Sequence, residues 1–391
     1  MRILIINEYV VGGGAEQIAS DQVNLFIQNG HDVSYLCFNY SIKDKTNTNW
    51  TDNRHIIINS SPYKKLLFDV RLYIRIRKIL KSFSPDKIIL HNVFSSPMAV
   101  YYAVRHYDSV QIVHDFKVLC PTSLGILLND NYKICNGFRH NSCIKKCSKG
   151  FKEVASMFLR LIQNKEGFYF RKRYVKKFIS PSEWLSDAIK RYGFKSCVLN
   201  NPINYAVPVS NTRKNITPKL ITAGGLIFNK GVMAFANRIV DRENISLDIF
   251  GNSGTEVDLK NIGTISQKSN NRIIYKGFLS HDDLMSKFHE YCFLVVPSLW
   301  RENYPTIVLE GMVNKICIIA SDRGGAKELL ADGRGLLFSW EDKKSIDNVI
   351  EVVCKMSIEE YDKIVDRAYE YIVEKNNMTV YYDKLCKMLE F

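Results

Sequence analysis

The chain has 391 residues, 46% of them apolar and 24% charged, with a formal net charge of +14. That length exceeds one ordinary hydrophobic core and predicts two domains, and the composition is that of a folded globular protein rather than a disordered polymer. No run of 18 apolar residues occurs, which excludes a bilayer-spanning helix. Met1 runs straight into the apolar segment RILIIN, which predicts no leader and a cytoplasmic chain whose ten cysteines stay reduced.

The first half alternates short β-branched runs with helical-period runs. Strands are predicted at Arg2–Ile6, Val33–Phe38, Ile56–Asn59, Lys87–Leu90, Val110–His114 and Phe178–Ser180, and helices at Ala15–Asn29, Leu66–Phe83, Pro97–His106, Phe151–Val175 and Glu183–Tyr192. Such alternation predicts a doubly wound parallel sheet. After the first strand, NEYVVGGGAEQIA places Gly13 and Gly14 before a helix, where the backbone can approach a ligand with no Cβ in the way. The same turn also reads as simple strand-to-helix punctuation, and it lacks the Gly-x-Gly-x-x-Gly spacing of a dinucleotide site. VHDF then puts His114 at the carboxyl end of a strand, the edge where open sheets hold ligands, though such a histidine also serves as a structural hydrogen-bonding group.

Cys120, Cys135, Cys143 and Cys147 crowd one irregular stretch at spacings of fifteen, eight and four positions. Without a Cys-x2-Cys knuckle they read first as free thiols, with structural zinc as the alternative. Basic residues concentrate in Lys64 to Lys81 and Lys145 to Lys177, interleaved with Leu, Ile, Phe and Tyr at helical spacing. Such segments suit an anionic membrane surface or a solvated helix face; no nucleic-acid motif accompanies the charge.

A polar linker, Ser210 to Pro218, separates the two halves, giving domains over 1–207 and 208–375 with a C-terminal helix over 376–391. The second half restarts with LITAGG and the turn AGGLIFNKG, which sets Lys230 before a helix as a candidate diphosphate ligand. SLDIFGNSG and RIIYKGFLSHDD follow; periodicity alone makes Phe278 a core aromatic. In CFLVVPSLWRENYPTIVLEGM a buried strand leads through a polar loop into a helix opened by Pro305. The first amides of that helix, at Thr306 and Ile307, lack helical partners and suit an anion. Glu310 sits roughly 7 Å along the axis, beside a ribose if a diphosphate occupies the helix start, and Glu302 lies on the other flank. Taken alone, the two acids also read as a solvated loop charge and a helix-dipole partner.

PSLWRENYPTIVLEGM followed by ICIIASDRGGAKELLADGRGLLF resembles the signature of glycosyltransferase family 4, retaining enzymes with two Rossmann-like doubly wound parallel-sheet domains facing across a cleft, the GT-B fold. The resemblance covers essentially the whole chain. It implies transfer of a sugar from a UDP- or GDP-linked donor in the second domain to a glycan or lipid-linked acceptor in the first, with the leaving diphosphate assisting deprotonation of the acceptor. It implies donor contacts at Gly13, Gly14, Lys230, Asn303, Tyr304, Thr306 and Glu310. It also implies catalytic roles for Glu302, on the sugar and anomeric carbon, and for His114, orienting a sugar hydroxyl. The segment Gly277–Leu279 would lie near the base, the turn Gly324–Gly325 near the donor, and VYYDKLCKMLEF would cross back to the first domain. The family reads Gly-Arg-Leu-x-x-x-Lys-Gly where this chain has Gly225 in place of arginine, and Arg301 is the candidate to compensate.

With no Asp-x-Asp pair near the turns, no metal or other cofactor is expected. Lys, Asn and Ile richness suggests a bacterial source, where the family commonly builds surface polysaccharide such as lipopolysaccharide or capsule. Other readings are a catalytically silent GT-B scaffold binding membrane or polyanion, a nucleotide-sugar epimerase, and a phosphorylase, the last lacking a pyridoxal-lysine context.

Overall fold

The computed structural model describes residues 1–9, 13–37, 55–57, 68–94, 97–127, 133–135, 137, 142–148, 150–203, 215–342 and 344–391. Gly12, most of the linker and Lys64 to Leu67 of the first basic segment lie outside the described residues. The chain forms two compact units, one of Met1–Asn131, Cys135–Asn201 and Met378–Phe391, the other of Tyr132–Ile134 and Pro202–Asn377.

In the first unit, β1 (Arg2–Asn7), β2 (Asp32–Cys37), β3 (His55–Ile57), β4 (Lys87–Leu90), β5 (Ser109–Ile112), β6 (Lys177–Ser180) and β7 (Ser196–Val198) form one sheet in the order β3-β2-β1-β4-β5-β6-β7. Each described pairing is parallel. Parallel sheets carry helices on both faces, so their strands are apolar on both sides; RILIIN is buried from Ile3 to Asn7. The helices are α1 (Gly14–Gln28), α2 (Val70–Phe83), α3 (Pro97–Val104), α4 (Ser142–Cys147), α5 (Gly150–Tyr174) and α6 (Glu183–Arg191). α2 shows how its sequence places it. Asp69 caps it by accepting from the Leu72 amide at 3.0 Å, and Leu72, Ile76 and Leu80, four apart, bury one stripe while Arg71, Arg75, Lys78 and Lys81 face water. Each such buried leucine contributes about 1.5–3 kcal/mol.

The second unit repeats the plan with β8 (Lys219–Thr222), β9 (Ser246–Phe250), β10 (Ile273–Gly277), β11 (Phe293–Val296), β12 (Cys317–Ser321) and β13 (Leu336–Phe338), ordered β10-β9-β8-β11-β12-β13. Its helices are α7 (Val232–Ile239), α8 (Glu256–Lys268), α9 (His281–Lys287), α10 (Thr306–Val313), α11 (Gly325–Leu329), α12 (Ser345–Lys355) and α13 (Ile358–Lys375). On α13 the buried Tyr361 donates its hydroxyl to the Cys292 carbonyl at 3.0 Å, tying helix to sheet. The last helix, α14 (Met378–Leu389), belongs to the first unit, where Tyr381, Leu385 and Leu389 join the core of β1 and α1. In both sheets the strand order reverses once, between β1 and β4 and between β8 and β11. Ligands of open α/β sheets bind outside the carboxyl ends of the strands at such a point. Among the described residues no helix is long and apolar enough to cross a membrane.

Candidate active site

At the reversal in the second unit, the turn after β8 carries Lys230 and the loop after β11 carries Glu302. Residues 72 positions apart meet there: Lys230 Nζ donates to Glu302 Oε1 at 2.7 Å, and Ser298 Oγ donates to the same oxygen at 2.7 Å. The Leu299 amide donates to the Asn229 carbonyl at 2.9 Å, locking the two loops together. Burial alone would raise the pKa of Glu302. The Lys230 ammonium, then Ser298 and the nearby Trp300 indole, outweigh it and hold the carboxyl below its ordinary value, so it is ionised at neutral pH.

The loop bearing Glu302 is clamped from beneath. Ser321 donates its hydroxyl to the Ser298 carbonyl at 2.7 Å, and buried Arg323 donates to the Leu299 carbonyl and pairs with Glu341. The turn Gly324–Gly325 packs on the loop backbone: the Gly325 amide donates to the Glu302 carbonyl at 2.8 Å, and a Cβ would fall 2.1 Å from that oxygen at Gly324 and 1.8 Å from the Asn303 oxygen at Gly325. Gly324 also has φ +63, so two reasons demand glycine. This turn therefore buttresses the Glu302 loop. At Gly225 (φ +62) a Cβ would lie 2.5 Å from the Asn252 backbone, so an arginine cannot occupy this backbone.

Thr306 opens α10, with Pro305 as its cap in extended conformation rather than as its first helical residue. Asn303 and Tyr304 are buried, and the Tyr304 hydroxyl accepts from Asn376 at 3.1 Å. The phenol thus belongs to the core, and a donor contact at Tyr304 would have to use its backbone. Glu310, one turn into α10, meets His281 Nε2 at 3.3 Å, and that carboxylate, with Asp282, lifts the imidazole pKa to about 9. His281 was invisible to motif reading; its one signal is its place at the start of α9. Phe278 is 78% exposed, against the core position that periodicity gave it. Glycine at 277 (φ +89) and the register shift at the end of β10 turn it outward.

The first unit holds Gly13, Gly14 and His114. Both glycines are exposed, no atom lies within 4 Å of a Cβ built at Gly13, and its amide donates to Glu16 Oε2 at 2.9 Å. Any anion at the start of α1 would compete with that carboxylate. His114, half-buried just beyond β5, joins a relay with buried His91, Gln22 and Tyr381. Gln22 donates from Nε2 to the Tyr381 hydroxyl at 2.5 Å, which turns its Oε1 toward His91 Nε2 at 3.0 Å. That oxygen only accepts, so the His91 proton is on Nε2 and His91 Nδ1 accepts from His114 Nε2 at 2.8 Å. His114 Nδ1 is left with its lone pair. Burial pushes the His114 pKa down to about 4, and burial with the neighbouring His114 pushes His91 well below 6.5, so both are neutral at pH 7. His114 is an oriented acceptor, and sequence reasoning missed the His91, Gln22 and Tyr381 that orient it. Cys120 and Cys135 join the main core of the unit while Cys143 packs with Met157 and Leu161 beside Cys147; among the described residues no three metal-ligating side chains converge.

Two family models match the chain, Glycosyltransferase Family 4 over residues 12–207 and Glycosyl transferases group 1 over residues 210–371. No curated protein sequence matches it. Among solved structures, Anabaena HepE in complex with UDP aligns at a TM-score of 0.72 with 14% identity, covering 100% of each chain. The apo form of the lipopolysaccharide outer core galactosyltransferase WaaB aligns at 0.66 with 18% identity over 98% of each chain. Sucrose-phosphate synthase from Thermosynechococcus elongatus aligns at 0.72 with 14% identity, covering 100% of this chain and 98% of that one. Identities this low speak for the fold, and the two family models carry the assignment: the chain belongs to glycosyltransferase family 4 and is a glycosyltransferase of the GT-B fold.

Proposed function

We propose that this enzyme is a retaining glycosyltransferase, taking a UDP- or GDP-linked sugar in the β8/β11 crevice and passing the sugar to a glycan or lipid-linked acceptor in bacterial surface-polysaccharide synthesis. The observation that carries the reading is the Lys230–Glu302 pair, 2.7 Å apart at a strand-order reversal and one short loop from the start of α10. A diphosphate needs a cation and free amides, and Lys230 with the first amides of α10 supplies both. In the reaction the C1–O bond to the diphosphate breaks, the acceptor oxygen bonds to C1 on the same face, and its proton passes to the departing diphosphate. Charge grows on that leaving group, and removing one oriented donor to such a centre costs about 10²–10³ in rate.

In this reading Glu302, released from Lys230 when the phosphate takes the ammonium, holds sugar hydroxyls and offsets positive character at C1. Glu310 holds the ribose in place of His281, Asn303, Tyr304 and Thr306 offer backbone groups, and Gly13 and Gly14 are the remaining donor contacts of this reading, the Gly13 amide having first to leave Glu16. His114 accepts from a sugar hydroxyl through Nδ1. Arg301 is the candidate to compensate where Gly225 excludes an arginine. Since the chain supplies the charge, turnover in EDTA is expected. HepE with bound UDP and UDP-glucose supports the donor class, and the lipopolysaccharide galactosyltransferase supports the acceptor class.

The test is thermal stabilisation across UDP- and GDP-sugars, where the right donor at about 100 times its Kd adds about 2.7 kcal/mol. NMR of the product should then show the anomeric configuration of the donor kept. No shift with any donor, or an inverted product, overturns the reading.

A further inference from the structure

Directly after His114 the chain enters a short 3-10 turn, Phe116–Val118, and Asp115 caps it, its Oδ1 accepting from the Lys117 amide at 2.7 Å. One oxygen is enough for a cap. The other, Oδ2, accepts from no group among the described residues, although Asp115 is half-buried at the carboxyl end of β5, one strand from the reversal. α5 grips the same turn: Asn164 Nδ2 donates to the Lys117 carbonyl at 2.9 Å. Two turns along that helix Arg171 is 3% exposed, donates from Nε to the Tyr101 hydroxyl at 2.8 Å and forms no salt bridge among the described residues. Its guanidinium lies over Gly167, where a Cβ would come 3.4 Å from Nη1, and Nη1 has no hydrogen-bond partner. No nearer carboxylate consumes that charge, and Asp115 feels it. Burial pushes the Asp115 pKa up; the Lys117 amide and the Lys117 and Arg171 charges offset this only in part, and Glu16 at the start of α1 adds to it. The carboxylate is held in place yet under-bonded.

The charge decides what can complete it. Arg171 is too deeply buried to meet a ligand, so the group open to one is the Asp115 carboxylate, with Glu16 close enough to add its own charge. A phosphate or a second carboxylate has no hydrogen to give Oδ2 and would be repelled. A hydroxyl can donate to it without carrying charge. We propose that Asp115 orients the acceptor, Oδ2 receiving a hydrogen bond from one of its hydroxyls, so that the acceptor residue beside His114 is an uncharged sugar. That hydroxyl is not the one that attacks C1, whose proton goes to the diphosphate. Asn164 and Arg171 are positioning residues, the first through its bond to Lys117 and the second through its charge. Asp115 has this role only if the sugar-transfer reading holds, and it narrows the acceptors that fit.

The test is transfer from the donor that stabilises the enzyme to octyl glucoside, octyl galactoside and octyl N-acetylglucosaminide, set against octyl glucuronide and glucose 6-phosphate. A neutral glycoside should accept the sugar and neither anionic one should. Asp115→Asn and Asp115→Ser both keep a capping oxygen, so melting should stay within about 2 °C of the parent. Each should raise the KM for the neutral glycoside by about ten- to hundredfold, with donor KM and slow donor hydrolysis within about twofold. Asp115→Asn should also let octyl glucuronide in, which loss of a merely structural bond would not do. Asp86→Asn, at the amino ends of β1 and β4 where the carboxylate accepts from the Arg2 amide, should change none of these. An anionic acceptor used as well as a neutral one, transfer to none of the three neutral glycosides, an acceptor KM unmoved in both variants, or a donor KM that moves with it overturns the proposal. Donors that neither stabilise the enzyme nor are hydrolysed overturn the sugar-transfer reading itself, and the role of Asp115 with it.

Discussion

The two strand-order reversals occupy the same topological position in two sheets of nearly the same design, yet they are wired differently. In the second unit the crevice is charged, with Lys230 on an ionised Glu302. In the first, two imidazoles are held uncharged and fixed in tautomer by Gln22 and Tyr381, while the one buried acid at the end of β1, Glu8, is tied to the Phe94 amide at 2.7 Å. The fold supplies the place, and the loops supply the chemistry. A mobile charge pair suits a ligand that brings and leaves negative charge. A fixed neutral acceptor suits the steering of a hydroxyl, because it can direct a hydrogen bond without taking the proton.

The sharpest way to break this contrast is at the charged crevice. Glu302→Gln keeps the shape and still accepts from Lys230 and Ser298, so the fold should hold, but the negative charge facing the sugar is gone. A fall in kcat of about 10²-fold with donor KM changed less than threefold is expected. Steady-state kinetics decides it: a kcat within twofold of the parent would remove Glu302 from the chemistry.

The histidine pair should respond in stability first. His91→Leu leaves buried Gln22 Oε1 and the half-buried His114 N–H without partners, at a cost of about 1–3 kcal/mol, readable in urea unfolding. The pH dependence follows from the depressed imidazoles. Their folded pKa values lie below the ordinary 6.5, so the stability they confer is complete above 6.5 and is lost as pH falls toward about 4. His91→Leu should flatten the melting temperature over that window; an unchanged slope would mean that the histidines are not the acid-sensitive groups.

How much of this was legible in advance follows from what local patterns encode. The parallel sheets, and Lys230, Glu302 and Glu310 as candidates, stand in the sequence because strand length, glycine turns and helix starts are local. The 2.7 Å contact between Lys230 and Glu302 is not local; it exists because β8 and β11 are neighbours in the sheet. The same holds for His91, whose partners come from α1 and the strand beyond it, and for the Tyr304 phenol, drawn inside by Asn376 at the end of α13. Phe278 misled because an aromatic beside a strand is ordinarily core, and the strand ends one residue earlier.

The smallest effect belongs to the alkaline side of the second unit. With its pKa raised to about 9 by Glu310, His281 contributes stability that is complete below 6.5 and is lost as pH rises through about 9. The imidazole is 65% exposed, so solvent screens the pair and the melting temperature should move little. Proton NMR of the His281 ring is the sensitive measure: Glu310→Gln should bring its midpoint back toward 6.5. If Glu310 also holds the ribose, the same substitution raises donor KM by about tenfold, and the bound donor in the parent enzyme lowers the His281 midpoint by taking its partner. A His281 titration indifferent to a bound donor would leave that carboxylate as a partner of α9 alone, while the Lys230–Glu302 crevice could still hold the diphosphate.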